Sequence, residues 1–291
     1  MYYDIDVIYN IKECNDYMNF KKPYVIKGGC KNMKIFNNEK KMDFLKNSFD
    51  NIIFPIEIYE NDIEMGETNI KNRKEIEFSK VYNKITNNNT NKKYYLAEID
   101  LFEYEEQLPT DFLKNFDIDL DNYRINEGML IFFGNNGKSG CHLHTSHDYV
   151  LNQIVGKKTV YMFDYDDNNV EFCSLFSDKI NFIKENFFTM NKTNMKIYKV
   201  VLDEGDSLII PPWWWHAVEG NGLNYSITKT YDRYDYTYLF SKPYLFVIII
   251  VSEFFGIIEQ YNIIIVSILL ILLIFYMIIF VKNLLGSAGI F

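Results

Sequence analysis

Short apolar runs separated by Gly, Asn and Pro turns dominate the first 240 residues. Residues 22–29 enter through Pro23 and stop at Gly28 and Gly29, the mark of a short strand. Residues 40–49 have helical character, and 51–60 are an Ile-rich strand candidate. Residues 61–93 are polar and low in complexity and read as a loop or insertion. Strand character returns at 94–100, a short helix follows Pro109 at 111–116, and residues 129–133 form an apolar run closed by Gly134-Asn135-Asn136-Gly137. Beyond them, 149–156, 158–163, 196–202, 207–210 and 223–229 read as strands, with a mixed, partly helical excursion at 171–195. So many short strands predict a mainly β domain over residues 1–240 with α+β elaborations, built as an antiparallel barrel or double-sheet jelly roll.

The pattern changes at the C-terminus. Residues 263–281 carry no charge. As a helix rising 1.5 Å per residue, such a run just crosses a hydrocarbon core of roughly 30 Å. Residues 241–262 are also apolar but are interrupted by Glu253 and Gly256, which suits an interfacial segment, and 282–291 form a short tail with Lys282 as the only charge. The N-terminus lacks the basic and apolar regions of a signal peptide. The expectation is a tail-anchored protein with a single transmembrane helix in the lipid bilayer and its large domain facing the cytosol. The tyrosine-rich stretch 231–238 then reads as a membrane-proximal collar or a plain linker.

Composition narrows the chemistry. A formal net charge of −9 over 291 residues argues against a general nucleic-acid binder. Four cysteines without a C-x-x-C pair point to a reducing compartment, with Cys141 either a soft ligand or a buried thiol. There are four histidines: His142, His144, His147 and His216. Alternate side chains of a strand share a face, so His142 and His144 make a two-toothed clamp, while His147 has the other parity. Asp148 can add an oxygen if the chain curls back, and His216 follows Pro211-Pro212 and three tryptophans. Two or three imidazoles with a carboxylate and open positions suit Fe(II) and oxygen chemistry. Trp213 to Trp215 offer either a stacking platform for substrate or core packing.

The segment Gly205-Asp206-Ser207-Leu208-Ile209-Ile210-Pro211-Pro212-Trp213-Trp214-Trp215-His216-Ala217-Val218 resembles the second metal motif of the Jumonji C and cupin-like hydroxylases. Gln153-Ile154-Val155-Gly156-Lys157-Lys158 resembles the central strand and turn of that family, and Lys22 to Gly28 and Tyr94 to Glu98 resemble its N-terminal elements. The resemblance spans roughly residues 10–235. It implies a double-stranded β-helix, Fe(II) held by His-x-Asp/Glu and a distant His, and 2-oxoglutarate and O₂ as co-substrates for oxidising a protein or RNA. The distant His corresponds to His216. The lysine facing the 2-oxoglutarate carboxylate corresponds to Lys158.

The first motif departs from the family. Counting back from Gln153, the expected His falls on Leu143, between two histidines. With His144 as ligand, Ser146 stands at the acidic position; with His142 as ligand, His144 stands there. Either Asp148 takes the carboxylate role or that ligand is missing. The leading expectation is an Fe(II)- and 2-oxoglutarate-dependent dioxygenase hydroxylating a protein side chain, membrane-tethered, with iron on His144, His216 and Asp148 or His142. The rival is a non-catalytic or 2-oxoglutarate-independent metal-binding cupin acting as a membrane-anchored binding module.

Overall fold

A computed structural model describes residues 2–14, 20–60, 73–87, 92–166, 170–171, 173 and 181–233. Its contacts divide the chain into two units, Met1–Cys173 with Asn181–Tyr236, and Ser174–Ile180 with Thr237–Phe291. The second lies outside the described residues.

In chain order the elements of the first unit are β1 (Tyr2–Tyr3), β2 (Asp6–Ile8), β3 (Tyr24–Ile26), α1 (Lys41–Phe49), β4 (Ile53–Tyr59), β5 (Arg73–Glu77), α2 (Phe78–Asn87), β6 (Lys93–Asp100), β7 (Asn126–Asn135), β8 (His147–Asp164), β9 (Ile197–Leu202), β10 (Ser207–Ile210) and β11 (Trp214–Asp232). The strands follow the order β2-β3-β10-β8-β11-β7-β6-β4-β5, with β9 and then β1 added beside β8.

Two long strands make this network fold over. The first half of β8 lies between β10 and the second half of β11, while its second half lies between β9 and the first half of β11. The change of neighbours occurs at Gly156, where φ is +76°, and opposite it the β11 register slips between Asn221 and Tyr225 beside Gly222, also at +76°. Two sheets that share bent strands in this way form a jelly roll. A side chain at Gly156 would place its Cβ 2.3 Å from the Leu223 carbonyl oxygen, in a conformation that costs L-residues strain. Gly156→Ala is therefore expected to lower stability by roughly 2–4 kcal/mol. A denaturant midpoint equal to that of the natural protein would count against this account of the bend.

Alternation then divides the side chains. Met129, Ile131 and Phe133 of β7, with Tyr225 and Ile227 of β11, face a core closed by α1, α2 and the short helical turns that follow β6. Phe49, Phe54 and Phe78 interlock there at ring separations of 5.2–6.1 Å. Leu130, Phe132 and Thr228, of opposite parity, face the interior between the two sheets, where they meet Lys158, His216 and Val218 from the bent halves.

Several expectations change. Residues 73–87, read as part of a polar insertion, form β5 and α2; α2 buries Phe78, Val81 and Ile85 at helical spacing beneath a charged outer face. Residues 149–156 and 158–163 belong to one strand, because Gly156 bends the ladder without ending it. Tyr231 is buried in β11 and donates its hydroxyl to Asp121 at 2.7 Å, so it is no membrane collar; 234–238 lie outside the described residues.

The expected C-terminal transmembrane helix is corrected. No helix among the described residues is long and apolar enough to cross a membrane. Residues 241–262, 263–281 and 282–291, which carried that reading, lie outside the described residues. The fold class of the described residues is thus a mainly β jelly roll, with no helix among them that could be the membrane element. The tail-anchored location and the lipid partner, both of which required that helix, fall with it.

Candidate metal centre

Residues 137–144 run antiparallel to the start of β11. Gly220 N–H donates to Gly137 O at 2.7 Å and Ser139 N–H to Val218 O at 2.9 Å. The next rung joins His142 and His216, which exchange two backbone hydrogen bonds of 3.0 and 2.8 Å. Three residues on one side answer two on the other, so one extra residue is accommodated at Gly140-Cys141 as a bulge. The bulge puts Ser139 and His142 on the same interior face despite their odd spacing. His144 follows at the strand period, and its carbonyl accepts from the N–H of Trp213, whose φ of +67° turns the chain into β11.

The result is a cluster of three imidazoles. The ligand atoms of His142, His144 and His216 all lie within 4.8 Å of one another. His142 Nδ1 is 2.8 Å from the Gly140 carbonyl oxygen, and His216 Nδ1 is 3.1 Å from that of Trp214. A carbonyl oxygen only accepts, so each Nδ1 carries a hydrogen and each Nε2 is the atom left to face the pocket. This is the outer-shell arrangement that orients a metal-binding imidazole. The His144 ring stacks on Tyr149 at 3.4 Å between centroids and 7° between planes. Burial, then His216 and His142, hold the His144 imidazole well below its ordinary range; burial and His142 do the same for His216. Both rings are therefore neutral near pH 7, the form that binds metal.

The remaining sequence candidates are placed as follows. Asp148, expected to supply an oxygen, is fully buried away from the cluster. Its two oxygens accept from Arg124 at 2.8 Å and Arg233 at 3.0 Å, so the carboxylate is paired with two guanidiniums instead of standing with the three histidines. His147 lies 3.2 Å from Asp232 and outside the cluster. Cys141 is a buried thiol raised well above its ordinary value by desolvation. Trp215 is buried against Phe163, and none of the three tryptophans lines the histidine pocket.

Lys158 lines the same pocket, which encloses about 460 Å³ including its mouth. It lies on the interior face of β8 opposite Gly220, and His216 is opposite Met162, four residues further along. The ammonium donates to Ser226 Oγ at 2.6 Å and sits 4.9 Å from the Phe132 ring centre. No carboxylate among the described residues pairs with it, and burial alone lowers its pKa to about 7. A buried cation without an anion, facing an apolar cavity, fits a carboxylate ligand. Three imidazole nitrogens within 4.8 Å of one another fit a divalent transition metal.

Sequence reasoning missed the supporting residues. Ser226, Tyr149 and Tyr95 all line or support the pocket. Glu98 also lines it, with Oε1 3.7 Å from His142 Nε2. An acid in the middle of the Tyr-Tyr-Leu-Ala-Glu-Ile strand was the available signal.

Comparison with known proteins agrees with this architecture. JmjC domain-containing protein D of Dictyostelium discoideum is 28% identical over 243 residues, covering 73% of this chain and 52% of that protein. Lysine-specific demethylase JMJ30 of Arabidopsis thaliana is 25% identical over 167 residues, covering 53% of this chain and 37% of that protein. The chain thus spans about half the length of the first relative and less of the second. The family described as cupin-like domain matches residues 11–235, well over half of the chain, and the chain belongs to that family.

Proposed function

We propose that this protein is an Fe(II)- and 2-oxoglutarate-dependent oxygenase that oxidises a C–H bond on a protein side chain. The observation that carries the reading is the shared pocket: three clustered imidazoles and an unpaired buried ammonium open on one cavity. His142, His144 and His216 would hold the metal, and Lys158 would hold the far carboxylate of 2-oxoglutarate. Bound Fe(II) supplies O₂ activation coupled to conversion of 2-oxoglutarate to succinate and CO₂, with one oxygen atom delivered to the substrate.

The chain's own residues do the rest. Gly140 and Trp214 carbonyls fix the tautomers of His142 and His216. Tyr149 fixes the plane of His144. Leu130, Phe132, Ile210 and Val218 keep the cavity apolar, which strengthens the attraction of Lys158 for a carboxylate. A protein substrate is supported by the lysine demethylase among the relatives. Hydroxylating an N-methyl C–H gives a carbinolamine that loses formaldehyde, so side-chain hydroxylation and demethylation share the same first step.

A second reading has its own observation. With His142 as the first ligand, His144 stands where the resemblance puts an acid, as three-histidine metal centres that do not use 2-oxoglutarate would have it. One experiment separates the two. The full chain, prepared without oxygen, is titrated with Fe(II) and then 2-oxoglutarate while the metal-to-ligand charge-transfer absorbance is followed. The oxygenase reading expects a band that requires both. Iron binding without the band would select the 2-oxoglutarate-independent cupin, and no iron binding would sink both.

A further inference from the structure

We propose that Glu98 is the carboxylate of the metal centre, supplied from β6 in place of the acid missing from the first motif. The proposal rests on reading His142, His144 and His216 as a metal site.

Strand alternation puts Glu98 on the wrong side. Leu96 faces the helix-covered core, and two residues on, Glu98 should follow it. The ladder between β6 and β7 pairs Leu96 with Phe133 but Ile99 with Ile131, so one extra residue is inserted. Ile99 thereby takes the core position, and Glu98, at φ +56°, turns into the histidine pocket. Bulges of this kind re-aim side chains beside functional sites. A glutamate at positive φ is a strained conformation, and an observed outlier of this kind points to function.

The chemistry of the position agrees. Glu98 is the one acidic residue among those lining the pocket. Its Oε1 lies 3.7 Å from His142 Nε2. Two ligands about 2.1 Å from one ion lie roughly 3–4 Å apart, so Oε1 and His142 Nε2 have the spacing of two ligands on one metal, and a rotation of the partly exposed Glu98 side chain would carry the oxygen toward the other two imidazoles. Charge balance asks for such a group. Imidazole ligands bring no negative charge to offset the 2+ of an ion in a cavity that already contains the Lys158 ammonium, and a carboxylate offsets part of it. Glu98 comes from β6 and the stacking partner Tyr149 from β8, so the acid and that ring approach the cluster independently.

The test uses Co(II), which reports its coordination through d–d absorption and survives in air. The full-length protein is expected to bind one equivalent. Glu98→Gln keeps the shape and removes the charge; since losing an outer partner of a ligand already costs about 10–100-fold, loss of this ligand is expected to weaken Co(II) binding by more than about 100-fold and to change the d–d spectrum. Glu98→Gly removes the carboxylate and relaxes the backbone, so it is expected to weaken Co(II) binding as much while keeping or raising the melting temperature. Affinity and spectrum unchanged in both variants would overturn the role of Glu98 while leaving the histidine site standing. Absence of Co(II) binding by the natural sequence would overturn the site and this role together.

Discussion

His216→Ala is expected to weaken Fe(II) binding by well over 100-fold while leaving the fold intact. The reason is the division of labour within the residue. Its backbone is a rung of the jelly roll, hydrogen-bonded twice to His142, and the alanine variant keeps both bonds. Its ring contributes a lone pair at Nε2, held toward the pocket because Nδ1 donates to the Trp214 carbonyl. Losing an outer partner of a metal ligand costs about 10–100-fold in affinity, and losing the ligand itself costs more. The ring already borders an open cavity, so truncation enlarges existing space and removes little packing. Equilibrium dialysis of Fe(II) without oxygen, with a thermal melt of the same sample, checks both halves. Affinity within a few-fold of the natural protein would rule out the three-histidine centre. A collapsed melt would show that the ring is a packing element.

The sequence displayed the parts of this site unevenly. Strand period was enough to put His142 and His144 on one face, and the Pro-Pro-Trp-Trp-Trp-His run marked His216. The rung joining His142 to His216 was not legible, because it depends on a one-residue bulge at Gly140-Cys141 that shifts the register. Glu98 was hidden by the same physics on another strand, since a bulge reverses parity and alternation then assigns the side chain to the opposite face. The placement of Asp148 was not legible for a different reason. Its closeness in sequence to the histidines suggested a ligand, but its partners Arg124 and Arg233 come from distant parts of the chain. The helix α2 was readable in principle. Phe78, Val81 and Ile85 keep a helical period within a run whose charge and asparagine content suggested a loop. Lys158 shares parity with the buried Val160 and Met162, so alternation alone marks it as a lysine on an interior face.

That interior lysine gives the other large expectation. Lys158→Met is expected to stabilise the protein and abolish 2-oxoglutarate binding. In the unfolded chain a lysine titrates near 10.5, whereas burial lowers Lys158 to about 7. The folded pKa is depressed, so between about pH 7 and 10.5 the unfolded chain holds a proton that the folded chain has lost. Stability therefore rises with pH through that window, and the full penalty of the buried charge is felt below about pH 7. At about 1.4 kcal/mol per pKa unit, the penalty is roughly 3–5 kcal/mol. Methionine fills similar space without a charge and gives up the hydrogen bond to Ser226 Oγ, worth about 1 kcal/mol. The net gain of roughly 2–4 kcal/mol should raise the melting temperature by at least about 5 °C at pH 6, and the gain should shrink toward pH 9. The natural protein should regain stability when metal and 2-oxoglutarate are added, because a bound carboxylate neutralises the ammonium; the methionine variant should show no such response to 2-oxoglutarate. Melts at pH 6 and pH 9, with and without the diacid, separate the two roles open to Lys158. A structural lysine would melt lower as methionine at both pH values. A lysine held in the cavity for a carboxylate would melt higher as methionine and lose the ligand response in the same experiment.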